Sequence, residues 1–191
     1  MGADISSEAP EQADQGLREA EELLARLDAR HPPSGETLGL LGSAAKRMFR
    51  RSSDAAHLDR AISAYLRGFN ADPHDYYPGI NAVALLRARA ARTGSAADAE
   101  QARALLPVVQ FMVDRPGLAD SVWRQATAAE LLLHQHQLDG VPPLAAAADA
   151  YAAAAATATP FQIASMRDQL ALLRDLGDPP EVVEAVLVAL L

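Results

Sequence analysis

The 191-residue sequence contains no cysteine, so disulfides, thiolate catalysis and cysteine metal sites are excluded. Aromatic residues make up only 5% of it, and the alternating β-branched runs that are typical of strands are absent. No apolar run approaches the ~20 residues that a membrane-spanning helix needs. These absences argue against a sheet protein and against a membrane span.

Basic residues are also scarce, since 17 lysines and arginines face 25 acidic residues, a formal net charge of −8. Nucleic-acid binders normally carry a basic surface, and anionic membranes attract one as well. The N-terminal stretch MGADISSEAPEQADQG is acidic and polar, unlike a signal peptide. We therefore expect a cytoplasmic protein that binds neither nucleic acid nor membrane.

Half of the residues are hydrophobic, and many of these are alanine, the best helix former. We predict an all-α protein with a disordered N-terminal tail over 1–14 and a single helical domain over 15–191. Proline breaks and capping residues divide that domain into about nine helices. The predicted helices are 15–30, 35–51, 54–70, 79–92, 95–115, 119–136, 142–157 and 160–177, followed by one that Asp178 caps.

A spaced pattern of small and aromatic residues occurs twice. Ala61-x3-Tyr65-x2-Gly68 matches the second helix of a tetratricopeptide repeat (TPR), and Ala147-x3-Tyr151-x2-Ala154 repeats it. Repeats of this kind are antiparallel helix pairs that stack on their neighbours to complete a core. The sequence therefore predicts a TPR-like α-solenoid with a concave groove.

Three segments resemble a known family: ETLGLLG (36–42), YYPGINAVALL (76–86) and WRQATAAELLL (123–133). The chain is similar there to the TRAFs-binding domain, the tetratricopeptide-like central regulatory domain of apoptosis-signal-regulating kinases, and to its bacterial relatives. The resemblance covers residues 35 to 175, and Tyr77-Pro78-Gly79-Ile80-Asn81 is its most specific part.

The resemblance implies a regulatory rather than a catalytic protein. Bacterial relatives are fused to, or encoded beside, effector domains of signalling or immune-type systems, and they have been proposed to sense nucleotide-derived signals. Our first hypothesis is a non-enzymatic module that binds a protein partner or a neighbouring effector domain through its groove. The alternative is a sensor that binds a nucleotide-derived small molecule in the same groove, and either could form homo-oligomers.

Polar side chains beside the apolar stripes could line such a groove. In this interpretation Lys46 supplies charge, amides form hydrogen bonds, and aromatic rings stack on the ligand. The other interpretation is structural: Thr127 and Glu130 satisfy helix ends or face water, and Asn81 caps its helix. The candidate ligand-binding residues are Glu36, Ser43, Lys46, Tyr77, Asn81, Trp123, Thr127, Glu130 and Gln169.

Other clusters suggest little chemistry. Arg47, Arg50 and Arg51 could bind an anion, but cations also favour a helix C-terminus. His134 and His136 are two residues apart and lie on different helix faces, which argues against a metal site. Catalytic triads, phosphate loops and HExxH patterns are absent, so we expect neither an enzyme nor a cofactor.

Overall fold

The computed structural model describes residues 5–30, 34–72, 74–117, 119 and 121–190, with side chains from Gln15 onward. Within these ranges the chain forms nine α-helices and no strand, which confirms the predicted all-α class. The helices are α1 (Ile5–Arg30), α2 (Gly35–Ser52), α3 (Ala55–Ala71), α4 (Tyr76–Thr93), α5 (Ala96–Asp114), α6 (Val122–Asp139), α7 (Leu144–Ala155), α8 (Pro160–Asp175) and α9 (Pro180–Val188).

Several helices begin where their capping residues predict. The Ser34 side chain accepts a hydrogen bond from the Thr37 backbone N–H at the start of α2. Ser95 does the same for Asp98 in α5. Thr159 and Gln162 form the complete predicted capping box of α8. These bonds satisfy amides that lack a partner within the helix.

Helix α1 begins at Ile5 rather than at the predicted Gln15. It includes residues 5–14 of the tail that we expected to be disordered, while residues 1–4 of that tail lie outside the described residues. This segment contains alanine, glutamate and glutamine, which favour helix formation. The helix therefore extends further toward the N-terminus than the periodic apolar residues after Gln15 predicted.

Helix α4 begins at Tyr76 rather than at Gly79, so the predicted break at 76–79 is instead its first turn. Asp75 precedes the helix, and its Oδ1 accepts a hydrogen bond from the Tyr77 backbone N–H at 3.0 Å. Pro78 is tolerated because a first-turn residue needs no N–H donor. Asn81 consequently lies inside the helix and does not cap it, contrary to the structural interpretation.

Helix α9 also differs from its prediction at the start. Pro179 occupies the cap position and makes no side-chain capping bond. The predicted cap, Asp178, instead pairs with Arg87 at 2.7 Å. A charged partner offers a carboxylate a stronger bond than a neutral amide does.

The chain divides into two compact units, Met1–Pro78 and Gly79–Leu191. A single domain over 15–191 therefore stays a prediction. In the first unit α2 packs against both α1 and α3. The predicted repeat face of α3 is buried, because Ala61 and Tyr65 are fully enclosed and Gly68 lies close to the Leu38 side chain.

In the second unit, α6 and α7 form a helix pair across the short turn at Gly140. Ala147, Tyr151 and Ala154 are buried in its core, as the repeated pattern predicts. Helices α8 and α9 pack against this pair, and Val183 and Val186 of α9 join the same core. Among the described residues, the longest apolar helices fall short of what a bilayer crossing requires.

Candidate functional site

A pocket of about 540 Å³ opens in the first unit, between the first half of α2 and the residues that lead from α3 into α4. This volume is within the range of small-molecule sites. Three predicted ligand-binding residues, Glu36, Ser43 and Tyr77, line it. The described residues that line it are Ser34, Gly35, Glu36, Gly39, Leu40, Ser43, Asp72, Asp75 and Tyr77.

Two aromatic rings lie beside this pocket. The Tyr77 ring is half-exposed and meets the buried Tyr65 ring edge to face, with centroids 6.0 Å apart. Glycine at two positions of α2 makes room for them: a Cβ on Gly39 would lie 3.8 Å from Tyr77, and one on Gly42 only 2.9 Å from Tyr65. The missing side chains of α2 therefore let both rings approach its backbone.

The hydroxyl of Tyr65 is buried and has no hydrogen-bond partner in the described part of the chain. Burial raises its pKa well above the usual value of 10.0, the nearby Tyr77 raises the pKa further, and Ser43 and Arg47 oppose the rise. Two of these neighbours, Tyr77 and Ser43, line the pocket. A polar atom without a partner is thus enclosed beside the lining of the pocket.

Lys46 is the fourth candidate ligand-binding residue of the first unit. Its Nζ lies over the Tyr65 ring, 5.9 Å from the centroid, a cation–π arrangement. It is not among the described residues that line the pocket. The structure therefore gives no support to Lys46 as the positive group that contacts a ligand in this pocket.

Among the described residues that line the pocket, the charged side chains are all acidic. Glu36 is exposed in the first turn of α2. The Oδ1 atom of Asp72 accepts from the His74 backbone N–H at 3.0 Å, and Asp75 Oδ1 accepts from that of Tyr77. Sequence reasoning missed both aspartates as lining residues. The usable signal in the sequence is an acidic pair, Asp72 and Asp75, between two predicted helices.

A buried polar network occupies the second unit and includes two more predicted site residues. Gln169 Nε2 donates to Glu130 Oε1 at 2.8 Å, and His134 Nε2 lies 3.3 Å from the same oxygen. Arg87 Nη1 donates to His134 Nδ1 at 2.6 Å, and Nη2 donates to Asp178 at 2.7 Å. Glu130 and Gln169 are therefore hydrogen-bonded to each other, and their predicted role in ligand binding stays a prediction.

This geometry also fixes the protonation of His134. A guanidinium has no acceptor, so Nδ1 must accept from Arg87, and Nε2 carries the hydrogen that faces Glu130. Burial lowers the pKa of His134 below the usual 6.5, although the bond with Glu130 opposes this. The ring is therefore a neutral link between Arg87 and Glu130.

The remaining predicted residues of this unit have varied surroundings. Asn81 is buried inside α4, only 3% exposed. Trp123 is 42% exposed at the start of α6. The Thr127 hydroxyl donates to the Trp123 carbonyl one turn earlier, a local bond that needs no ligand.

Within the described ranges no group of three histidine or acidic side chains is close enough to hold a metal ion. Arginines of α4 that could have formed an anion site are paired with carboxylates instead. Arg89 binds Asp98 at 2.6 Å, and this hydrogen bond is the main cause of the lowered pKa of Asp98. Arg87 binds Asp178.

The buried Tyr65 and Tyr151 faces, each on the second helix of a pair, define this molecule as a TPR-like helical repeat protein. The family described as Tetratricopeptide Repeats-Sensor matches residues 6–86, fewer than half of the chain. That segment contains every described residue that lines the pocket. No curated protein and no solved structure matches the chain. The narrower resemblance to the TRAFs-binding domain stays a prediction.

Proposed function

We propose that this chain is a non-enzymatic recognition module of a bacterial signalling or immune-type system, and that it acts in the cytoplasm. It binds a protein partner or a neighbouring effector domain through the surface that contains the pocket of the first unit. The observation that carries this proposal is the pocket itself, which lies inside the family-matched segment and is lined by Glu36, Ser43 and Tyr77.

A second candidate function is a sensor for a nucleotide-derived molecule, and the matching family, which is named as a sensor family, favours it. The lining of the pocket opposes it. A phosphate group in the pocket would lie close to the carboxylates of Glu36, Asp72 and Asp75, and these negative charges would repel it. We therefore rank the protein-binding function first.

The experiment combines two measurements on the full chain. Thermal unfolding is recorded with ATP, GTP, NAD⁺ and cyclic dinucleotides, and binding to the purified products of adjacent genes is measured by calorimetry. The protein-binding function predicts no nucleotide shift and at least one binding partner. A nucleotide at 100 times its dissociation constant would instead add about 2.7 kcal/mol to the free energy of unfolding.

Two matched variants locate the binding surface. Tyr77→Ala removes a half-exposed ring from the first turn of α4, and Phe161→Ala removes an exposed ring from the first turn of α8. We expect only Tyr77→Ala to lower the affinity for the partner, by about tenfold, because it removes an aromatic anchor from the interface. Equal affinity of both variants would overturn the assignment of binding to this surface.

A further inference from the structure

The pocket of the first unit has a definite charge. Three of its lining residues carry carboxyl groups, Glu36, Asp72 and Asp75, and the described lining includes no lysine or arginine. The whole chain adds to this field with a net charge of −8. Such a site attracts cations and repels phosphates and carboxylates.

The aspartates retain capacity for a ligand. In the described structure their bonds to the backbone of His74 and Tyr77 use the Oδ1 atoms. His74 Nδ1 also lies 3.4 Å from Asp72 Oδ1, on the exposed side of this turn. A carboxylate offers about four acceptor positions, so these bonds leave acceptors in both groups.

The shape of the site favours an organic cation over a metal ion. No three acidic or histidine side chains of the described residues come close enough to share one ion. The lining carboxylates instead surround a pocket of about 540 Å³ that also includes the Ser34 and Ser43 hydroxyls. A planar cation with several donors can reach acceptors on different sides of such a space.

The aromatic pair supplies a second, independent indication. The Tyr77 ring is half-exposed at the pocket, where a cation can stack on its face. The adjoining Tyr65 ring already faces one cation, the Lys46 ammonium. The buried Tyr65 hydroxyl lies near Ser43 and Tyr77, two residues of the pocket lining.

We propose that this pocket binds a guanidinium group, stacked on Tyr77 and held by the carboxylates of Glu36, Asp72 and Asp75. A guanidinium matches the site because it is planar, always charged and carries five N–H donors. The group belongs either to an arginine side chain of a bound protein or to a free small molecule. This inference rests on the proposed function, which makes the pocket the recognition surface.

Calorimetric titration of the full chain tests the proposal with three probes. Acetyl-Gly-Arg-Gly-amide carries the guanidinium, acetyl-Gly-citrulline-Gly-amide replaces it with an uncharged group of the same shape, and agmatine is a free guanidinium compound. We expect the arginine peptide to bind at least about tenfold more tightly than the citrulline peptide, because its hydrogen bonds are charge-assisted. Equal affinity of the two peptides would overturn the proposal. Tighter binding of agmatine than of the peptide identifies a small-molecule source, and the reverse identifies a protein.

Charge-matched variants complete the test. Glu36→Gln and Glu181→Gln each neutralise an exposed glutamate at the second position of a helix, so their effects on the helix termini are comparable. We expect Glu36→Gln to lower the affinity for the arginine peptide about threefold, which is the scale of an exposed ion pair. Glu181→Gln should leave this affinity unchanged. Equal effects of the two glutamate variants would count against the site.

The outcome also separates this inference from the proposed function. A partner protein that depends on Tyr77, together with no guanidinium binding, would reject the ligand class and retain the recognition surface. Guanidinium binding that Glu36→Gln weakens, without a partner among the adjacent gene products, supports the ligand class alone. Failure of both measurements rejects both.

Discussion

Tyr65 packs in the core through its ring and buries a hydroxyl whose hydrogen-bonding capacity is unsatisfied. Its ring is fully buried against Gly42, while its hydroxyl lacks a partner among the described residues. An enclosed hydroxyl without a hydrogen bond costs about 1–3 kcal/mol. The repeat pattern predicts the buried ring, but the state of its hydroxyl depends on which groups the neighbouring helices bring close.

We predict that Tyr65→Phe raises the free energy of unfolding of the unliganded protein by about 1–3 kcal/mol at most. The ring volume is kept while the unsatisfied group is removed. Urea unfolding followed by circular dichroism measures the change. A loss of stability would show that the hydroxyl has a partner in solution.

His134 gives the second prediction at this scale. Its pKa is lowered in the folded state, so below pH 6.5 the unfolded chain binds more protons at this residue. The contribution of His134 to stability is therefore complete above pH 6.5 and decreases as the pH falls toward its folded value. Protonation would place a second positive charge against Arg87, 2.6 Å away.

Urea unfolding at pH 7.5, 6.5 and 5.5 measures this dependence. His134→Gln is the matched variant, because its amide can still accept from Arg87 and donate to Glu130. We expect the variant to lose less stability than the wild type between pH 6.5 and 5.5. Equal slopes for the two proteins would contradict the assignment to His134.

At the scale of the helix, the contact between α2 and α3 depends on glycine. A Cβ added to Gly42 would lie 2.9 Å from three atoms of the Tyr65 ring. A carbon atom cannot lie that close to the ring, so either the ring or the helix would have to shift. The Tyr65 ring is fully buried and has little room to move. Local helix propensity alone would favour alanine at this position.

We predict that Gly42→Ala lowers the free energy of unfolding by about 1–3 kcal/mol, because overpacking outweighs the gain in helix propensity. Gly16→Ala is the control: Gly16 is also helical, and an added Cβ meets no atom within 4 Å. That variant should gain up to about 1 kcal/mol. Thermal and urea unfolding of both variants measure the difference, and equal changes would remove the steric explanation.

The capping residues show which helix starts could be predicted from the sequence and which could not. Ser34, Ser95 and Thr159 cap α2, α5 and α8 as predicted, because each bond is made within three residues of the cap. Asp178 has the same signature but binds Arg87, 91 residues away in the sequence. A local motif cannot reveal that a distant charge competes for its capping residue.

At the scale of the whole molecule, the imbalance of charge governs solubility. The chain carries a net charge of −8 at pH 7 and has an isoelectric point near 5.0. Like charge keeps molecules apart in solution, and the repulsion disappears near the isoelectric point. We predict a solubility minimum close to pH 5, measured by light scattering from pH 8 to 4. A minimum above pH 7 would contradict this account.

The sequence by itself determined the helical class, most helix bounds, and the buried faces of Tyr65 and Tyr151. It also supplied three of the residues that line the pocket, Glu36, Ser43 and Tyr77. Helical periodicity and capping are interactions between residues a few positions apart, so a linear pattern records them.

Only the tertiary structure decided the partners of these residues. It placed Asp72 and Asp75 in the same pocket lining as Glu36, put the Lys46 ammonium over the Tyr65 ring, and joined Glu130 to Gln169, 39 residues further on. The physical reason is that such contacts depend on how helices pack. Packing responds to the volume and charge of side chains from distant segments at once, which no short stretch of sequence contains.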